Sequence, residues 1–157
     1  AGPVAEARGF ARTVADYRAL AHDTLDRCRA AGWSVVLYGA GHRACVTVTG
    51  LDLAGRIDRV IDDRPTMAGG YLPGTGLAIQ GGDTLAGHAG PMLVLLAVSN
   101  ENEVKVKRRL RAMNLDAVFA TILSPRDTHD ELAAVRAALL VAMAERTGAL
   151  LASGHWR

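Results

Sequence analysis

Apolar positions follow one another along the chain in two patterns, and these predict alternating helices and strands. In residues 5–31, Phe10, Val14 and further apolar residues recur at steps of three and four, which predicts a long helix that Gly32 ends. The almost uniformly apolar run 33–38 predicts a buried strand. Further strands are predicted at 57–61, 77–80, 92–98 and 117–123, and further helices at 42–53, 83–88, 101–113 and 126–151.

The order of these elements predicts an α/β fold. Strands that alternate with helices form a Rossmann-like parallel sheet, here of about five strands, with helices on both faces. Right-handed crossovers place the first and fourth strands side by side, where open sheets bind ligands. The chain has 157 residues and no repeat or boundary, so we expect a single domain over 1–157. It comprises an N-terminal helix 5–31, an α/β core 33–123 and a C-terminal helix 126–151.

Composition and charge exclude several classes of protein. Hydrophobic residues make up 50% of the chain and charged residues 22%, as in globular proteins. The longest apolar stretch, 91–98, is far shorter than the roughly 20 residues of a membrane-spanning helix. The net charge is +2, and the basic cluster 105–111 follows Glu101 and Glu103, an order typical of a solvated helix face. We therefore expect neither a membrane nor a nucleic-acid partner.

Cysteine and histidine positions predict no metal site. Cys28 and Cys45 lie in apolar surroundings without C-x-x-C spacing, and the five histidines form no ligand-spaced pair. Both cysteines are expected to be small buried hydrophobes in a reducing cytoplasm. The chain begins Ala-Gly-Pro without Met or a basic, apolar leader, which is consistent with a processed product, a tag remnant or a domain of a longer protein.

A glycine turn follows the first predicted strand. Segment 39–44 reads G-x-G-x-x-A, in which Gly39 and Gly41 permit a tight turn and the N–H groups of the following helix favour an anion. Asp62 or Asp63 ends the next strand, where an acid holds a ribose hydroxyl in dinucleotide-binding folds. The pattern predicts nucleotide or phosphate binding. The alternative is a turn required only for close packing of helix and strand.

Four other polar residues are candidates for the same crevice. Arg43 could clamp a phosphate, and His42 could donate to it or act as an acid–base group, although both could equally face solvent. Ser99 and Asn100 end the fourth strand beside the first, where open sheets bind ligands. Successive strand residues point to opposite faces, so Asp62 and Asp63 should not form a paired-carboxylate site.

A further string is more distinctive than the glycine turn. Asp62-Asp63-Arg64-Pro65 is followed by Tyr71-Leu72-Pro73-Gly74-Thr75, and strand 93–98 by Asn100 and Glu103. With the glycine turn, this pattern resembles the C-terminal domain of class I S-adenosylmethionine-dependent methyltransferases, best known from the sugar C-methyltransferases of antibiotic biosynthesis. The resemblance covers residues 5–125. The chain departs from it at Met67, where many members have Lys, and at 99–101, where they have Trp-Asn-Phe.

The resemblance implies a binding function. In that family the domain helps to bind the substrate, commonly a nucleotide sugar, while the methyl donor and catalytic residues belong to a preceding domain. It implies that this chain alone binds no cofactor, and that S-adenosylmethionine binds to a catalytic domain supplied elsewhere. It also implies that Tyr71, Pro73, Gly74 and Thr75 line the substrate pocket.

Two other functions stay open at this point. One is a small stand-alone enzyme with His42 as its acid–base group, which requires a crevice residue with a displaced pKa. The other is a dinucleotide-binding redox or sensor module with Asp62 on the ribose, which requires a long groove across the sheet. One small sheet covers long terminal helices only in part, so we also expect a homodimer.

Overall fold

The apolar runs form the strands of one parallel sheet. The computed structural model describes residues 2–121. The strands are β1 (Ser34–Tyr38), β2 (Arg59–Ile61), β3 (Ile79–Gln80), β4 (Met92–Leu96) and β5 (Ala117–Thr121). Their order is β3-β2-β1-β4-β5, with all neighbours parallel. The predicted α/β fold and the pairing of the first strand with the fourth are therefore confirmed.

Three α-helices and two short 3₁₀ turns precede or connect the described strands. They are α1 (Pro3–Ala30), α2 (His42–Gly50) and α3 (Asn100–Ala112), with turns at Ala54–Arg56 and Gly82–Leu85. Helix α2 is shorter than predicted because Asp52 adopts a φ of 53°, which ends a right-handed helix. The short helix predicted at 83–88 is the second 3₁₀ turn. The helix predicted at 126–151 lies outside the described residues.

Packing on both faces explains why the central strands are apolar throughout. Val35 and Leu37 of β1 pack with α1 and α2 on one face, whereas Val36 and Tyr38 pack with α3 on the other. Cys28 is buried in the first of these cores, and burial raises the pKa of its thiol to about 11. This confirms the prediction for Cys28, whereas Cys45 is only half-buried.

Helix α1 is covered by the sheet along only part of its length. Ala21 and later apolar residues are buried, whereas residues 2–13 are all exposed and Phe10 keeps 73% of its surface accessible. The Arg18 guanidinium donates to the Gly50 carbonyl (2.7 Å) and His22 Nε2 to the Leu51 carbonyl (2.8 Å). These bonds attach the second half of α1 to the end of α2. Among residues 2–121, no helix has the length and apolar character needed to cross a bilayer.

Candidate functional site

A cleft of about 470 Å³ lies at the carboxyl edge of the sheet, between the ends of β1 and β4. This is the position at which the strand order reverses and at which open α/β sheets bind ligands. Its walls come from the residues after β1, β2 and β4 and from one face of α3. The lining consists of Tyr38, Gly39, Gly41, Asp62, Asp63, Arg64, Ala97, Val98, Ser99, Asn102, Lys105, Val106 and Arg109.

The two glycines of the turn have different roles. Gly39 adopts a φ of 100°, and a Cβ there would lie 2.9 Å from the Ala97 carbonyl oxygen, so close packing requires this glycine. Gly41 has an ordinary φ of −79°, and a Cβ there would meet no atom within 4 Å. Gly41 is also the N-cap of α2, where no side chain caps the helix. Open space and uncapped N–H groups therefore coincide at Gly41.

The Asp62 carboxylate accepts a hydrogen bond from the backbone of this turn. The backbone N–H of Ala40 donates to its Oδ2 (2.8 Å), and the Arg64 guanidinium donates to both carboxylate oxygens (2.8 Å each). Asp62 is only 5% exposed, and burial by itself would raise its pKa. The hydrogen bonds from Arg64 and Ala40 outweigh burial and lower the pKa to about 2. The carboxylate is thus ionised and engaged within the protein.

Asp63 faces a different set of partners. The Tyr38 hydroxyl donates to Asp63 Oδ2 (2.6 Å), and the Arg109 guanidinium forms an ion pair with the same carboxylate. Burial, together with the negative charge of Asp63, raises the pKa of the Tyr38 phenol well above its usual range. A Cβ on Gly82 would collide with Asp63 Oδ1, so the second 3₁₀ turn, Gly82–Leu85, packs directly on the Asp63 carboxylate. The two adjacent aspartates diverge, as strand alternation predicts.

Helix α3 contributes a wall that the sequence analysis missed. Asn102, Lys105 and Arg109 line the cleft, whereas the order of charges in the sequence predicts only a solvated helix face for the basic cluster 105–111. Their spacing from Ser99 follows steps of three and four, which places them on one side of a helix that starts at the crevice. This spacing is the feature of the sequence from which their place in the cleft could have been predicted. Tyr38 and Arg64 were also missed as lining residues.

Several candidate residues lie outside the cleft lining. His42 and Arg43 are exposed on the first turn of α2, and Asn100 begins α3. The structure thus brings together five of the candidates: Gly39, Gly41, Asp62, Asp63 and Ser99.

The loop 71–75, which the resemblance implies lines the substrate pocket, is also outside the lining of this cleft. A Cβ on Gly74 would lie 3.2 Å from Thr49 Cγ2, near the end of α2, whereas the cleft lies at the start of that helix. The loop is held by its own bonds, since the Leu72 N–H donates to the Leu77 carbonyl and the Thr75 hydroxyl to the Leu72 carbonyl (both 2.8 Å). Tyr71 is exposed, and Pro73 lies between these anchored residues.

Metal binding has no support in the described part of the chain. Within residues 2–121, no group of three His, Cys, Asp or Glu side chains is arranged to hold a metal ion. Asp62 and Asp63, the acids of the cleft, are each paired with an arginine instead.

Comparison with known proteins identifies the family. No curated protein matches the chain. The family model described as the C-methyltransferase C-terminal domain matches residues 3–121, from the start of α1 to the end of β5. This match covers most of the chain and agrees with the Rossmann-like sheet. The chain therefore belongs to the family of C-methyltransferase C-terminal domains.

Proposed function

We propose that this domain binds the small-molecule substrate of a methyltransferase, specifically a nucleotide sugar, in the cleft between β1 and β4. The observation that carries the proposal is the uncapped start of α2 at Gly41, which opens into a cleft at the switch point of the sheet. A diphosphate group suits this position because unpaired helix N–H groups and the helix dipole both favour an anion. The family membership supports a role in a methyltransferase, together with the part that transfers the methyl group.

We also propose that catalysis is divided between this domain and a separate catalytic domain. The described residues contain one glycine turn between a strand and a helix, and the proposed substrate occupies it. S-adenosylmethionine and the groups that promote methyl transfer then belong to the catalytic domain. Sugar C-methylation in antibiotic biosynthesis is the setting that the sequence resemblance favours.

The two alternative functions receive less support from the described residues. His42, the acid–base candidate, is exposed on α2 outside the cleft lining. The displaced pKa values in the cleft belong to Tyr38, Asp62 and Arg64, and each of these groups is already bonded to other protein groups. Asp62 already bonds Ala40 and Arg64, so a ribose would have to displace these contacts.

Ligand-dependent melting and titration calorimetry test the proposal. UDP-glucose or TDP-glucose should bind and stabilise the fold, by about 2.7 kcal/mol at a hundredfold excess over Kd. NAD and S-adenosylmethionine should not bind to the chain alone. Micromolar binding of S-adenosylmethionine, or methyl transfer by the chain itself, would contradict the division of labour.

The variant Gly41→Val tests the site within that experiment. A valine fits the free protein at Gly41 but fills the space in which the ligand would approach, so nucleotide-sugar binding should be lost in a folded protein. Gly50→Val is the matched control because Gly50, at the other end of α2, is equally open. Unchanged affinity in a folded Gly41→Val variant would show that the nucleotide sugar does not bind in this cleft.

We further propose that the chain forms a homodimer through the exposed half of α1. The stripe of Ala7, Phe10, Val14 and Tyr17 has the alternating three- and four-residue spacing of a coiled-coil seam. Val14 and Tyr17 are partly buried against the core, whereas Phe10 is exposed. The seam thus continues past the surface that the sheet can cover, and a second copy related by a two-fold axis offers the same seam.

A further inference from the structure

Positively charged side chains outnumber negatively charged ones in the lining of the cleft. Asp62 is paired with Arg64 and Asp63 with Arg109, so these four charges compensate one another. The remaining charged residue of the lining is Lys105. The cleft therefore carries one surplus positive charge, and it is carried by α3.

Lys105 differs from Arg64 and Arg109, the other cations of the cleft lining, in having no carboxylate partner among the described residues. It is exposed and forms no ion pair with any residue of 2–121. Lys107, two positions later, lies outside the lining and pairs with Glu103 (3.4 Å). An unpaired ammonium on a flexible stem has three donors to offer an incoming anion.

Arg109 has a different part in the same wall. Its guanidinium pairs with Asp63, which also accepts the Tyr38 hydroxyl bond, so Arg109 ties α3 to the ends of β1 and β2. An anion that bound Arg109 would have to compete with this carboxylate. Lys105, one helical turn earlier on the same face, meets no such competitor among the described residues.

We infer that Lys105 is the side chain that binds the diphosphate of the substrate, while Asp63 and Arg109 act as positioning residues that hold α3 against the sheet. The inference rests on the proposed function and refines it, because it adds a side chain of α3 to the N–H groups of α2 that face the charged group. Arg43, the arginine that the glycine turn suggested for this role, is outside the cleft lining.

Three substitutions isolate the role of Lys105. Lys105→Ala should weaken binding of UDP-glucose about ten- to a hundredfold, the usual worth of a hydrogen bond to a charged group. Lys105→Arg should restore most of the affinity because the positive charge and the donors are kept. Lys107→Ala removes the same charge from the same helix outside the cleft, and should leave affinity unchanged.

Calorimetry with UDP-glucose, UDP, pyrophosphate and uridine separates the outcomes, with melting temperatures confirming that each variant is folded. A loss for the three phosphate-bearing probes in Lys105→Ala alone supports the inference. Equal losses in Lys105→Ala and Lys107→Ala, or UDP-glucose binding that is unchanged in Lys105→Ala, overturn it while the proposed function stands. If pyrophosphate binds through Lys105 but no nucleotide sugar binds, the proposed function fails and the anion site stands. If no probe binds, both fail.

Discussion

At the scale of single residues, the two adjacent aspartates show how position within a strand assigns different tasks to the same side chain. Asp62 turns towards the glycine turn and bonds the Ala40 N–H, whereas Asp63 turns towards Tyr38 and Arg109. The first stabilises the backbone that shapes the cleft, and the second connects α3 to the sheet. Neither carboxylate has the environment of a paired acid–base site.

The ionisation of Asp62 makes the free energy of unfolding of the domain depend on pH. Its pKa of about 2 lies below the ordinary value of 3.8, so the ionised form stabilises the folded state. This contribution, about 2 kcal/mol, is complete above pH 4 and is lost as the pH falls through 2. Asp62→Asn should therefore lower the free energy of unfolding by about 2 kcal/mol at pH 7 and by progressively less between pH 4 and 2.

Urea unfolding of both proteins at a series of pH values measures this difference. Asp83→Asn serves as the control, because Asp83 is an exposed carboxylate outside the cleft lining. A difference between Asp62→Asn and the parent that stayed constant down to pH 2 would show that the carboxylate charge is not the cause.

The glycine turn gives a second prediction at this scale. Gly39→Ala should destabilise the domain by about 2–4 kcal/mol, because it combines a positive φ with a clash against the Ala97 carbonyl. Gly41→Ala should cost about 1 kcal/mol or less, since alanine is only a poorer N-cap there. Thermal unfolding of the two variants tests the contrast, and equal losses would show that the two glycines share one role.

At the scale of elements, α1 and α3 each serve two environments. The second half of α1 packs on the core through Leu25 and Cys28, while its first half lies beyond the sheet. Helix α3 buries Val106 and Leu110 against the sheet and presents Lys105 to the cleft. A helix has room for such a division because its faces and its ends contact different neighbours. The exposed first half of α1 is the proposed dimer interface, and the cleft side of α3 carries Lys105, which is proposed to bind the diphosphate.

At the scale of the whole molecule, the uncovered half of α1 predicts self-association. Light scattering at micromolar concentration should give the mass of a dimer, and Phe10→Asp should give a monomer because a charge in the seam cannot be desolvated cheaply. Ala15→Asp adds the same charge about 120° around the helix from the seam and should leave the dimer intact. A parent protein of monomer mass, unchanged on dilution, would show that α1 needs no second copy.

Much of the fold was predictable because its signals are local. The apolar run 33–38 and its successors predicted the strands, and the right-handed crossover rule placed β1 beside β4. The glycines at 39 and 41 located the crevice, but only Gly39, with its positive φ and its close approach to Ala97, occupies a conformation that few other residue types can adopt. The string from Asp62 to Thr75 indicated the family that the comparison confirms.

The composition of the cleft was decided by tertiary structure. Whether Asp62 is available to a ligand depends on Arg64 and Ala40, and whether Lys105 lies in the cleft depends on how α3 packs on the sheet. Likewise, loop 71–75 has a distinctive sequence but folds against the far end of α2. Local spacing determines which face of an element a residue occupies. Which neighbours that face meets depends on residues distant in the chain, and so the element order came from sequence and the charge balance of the cleft from packing.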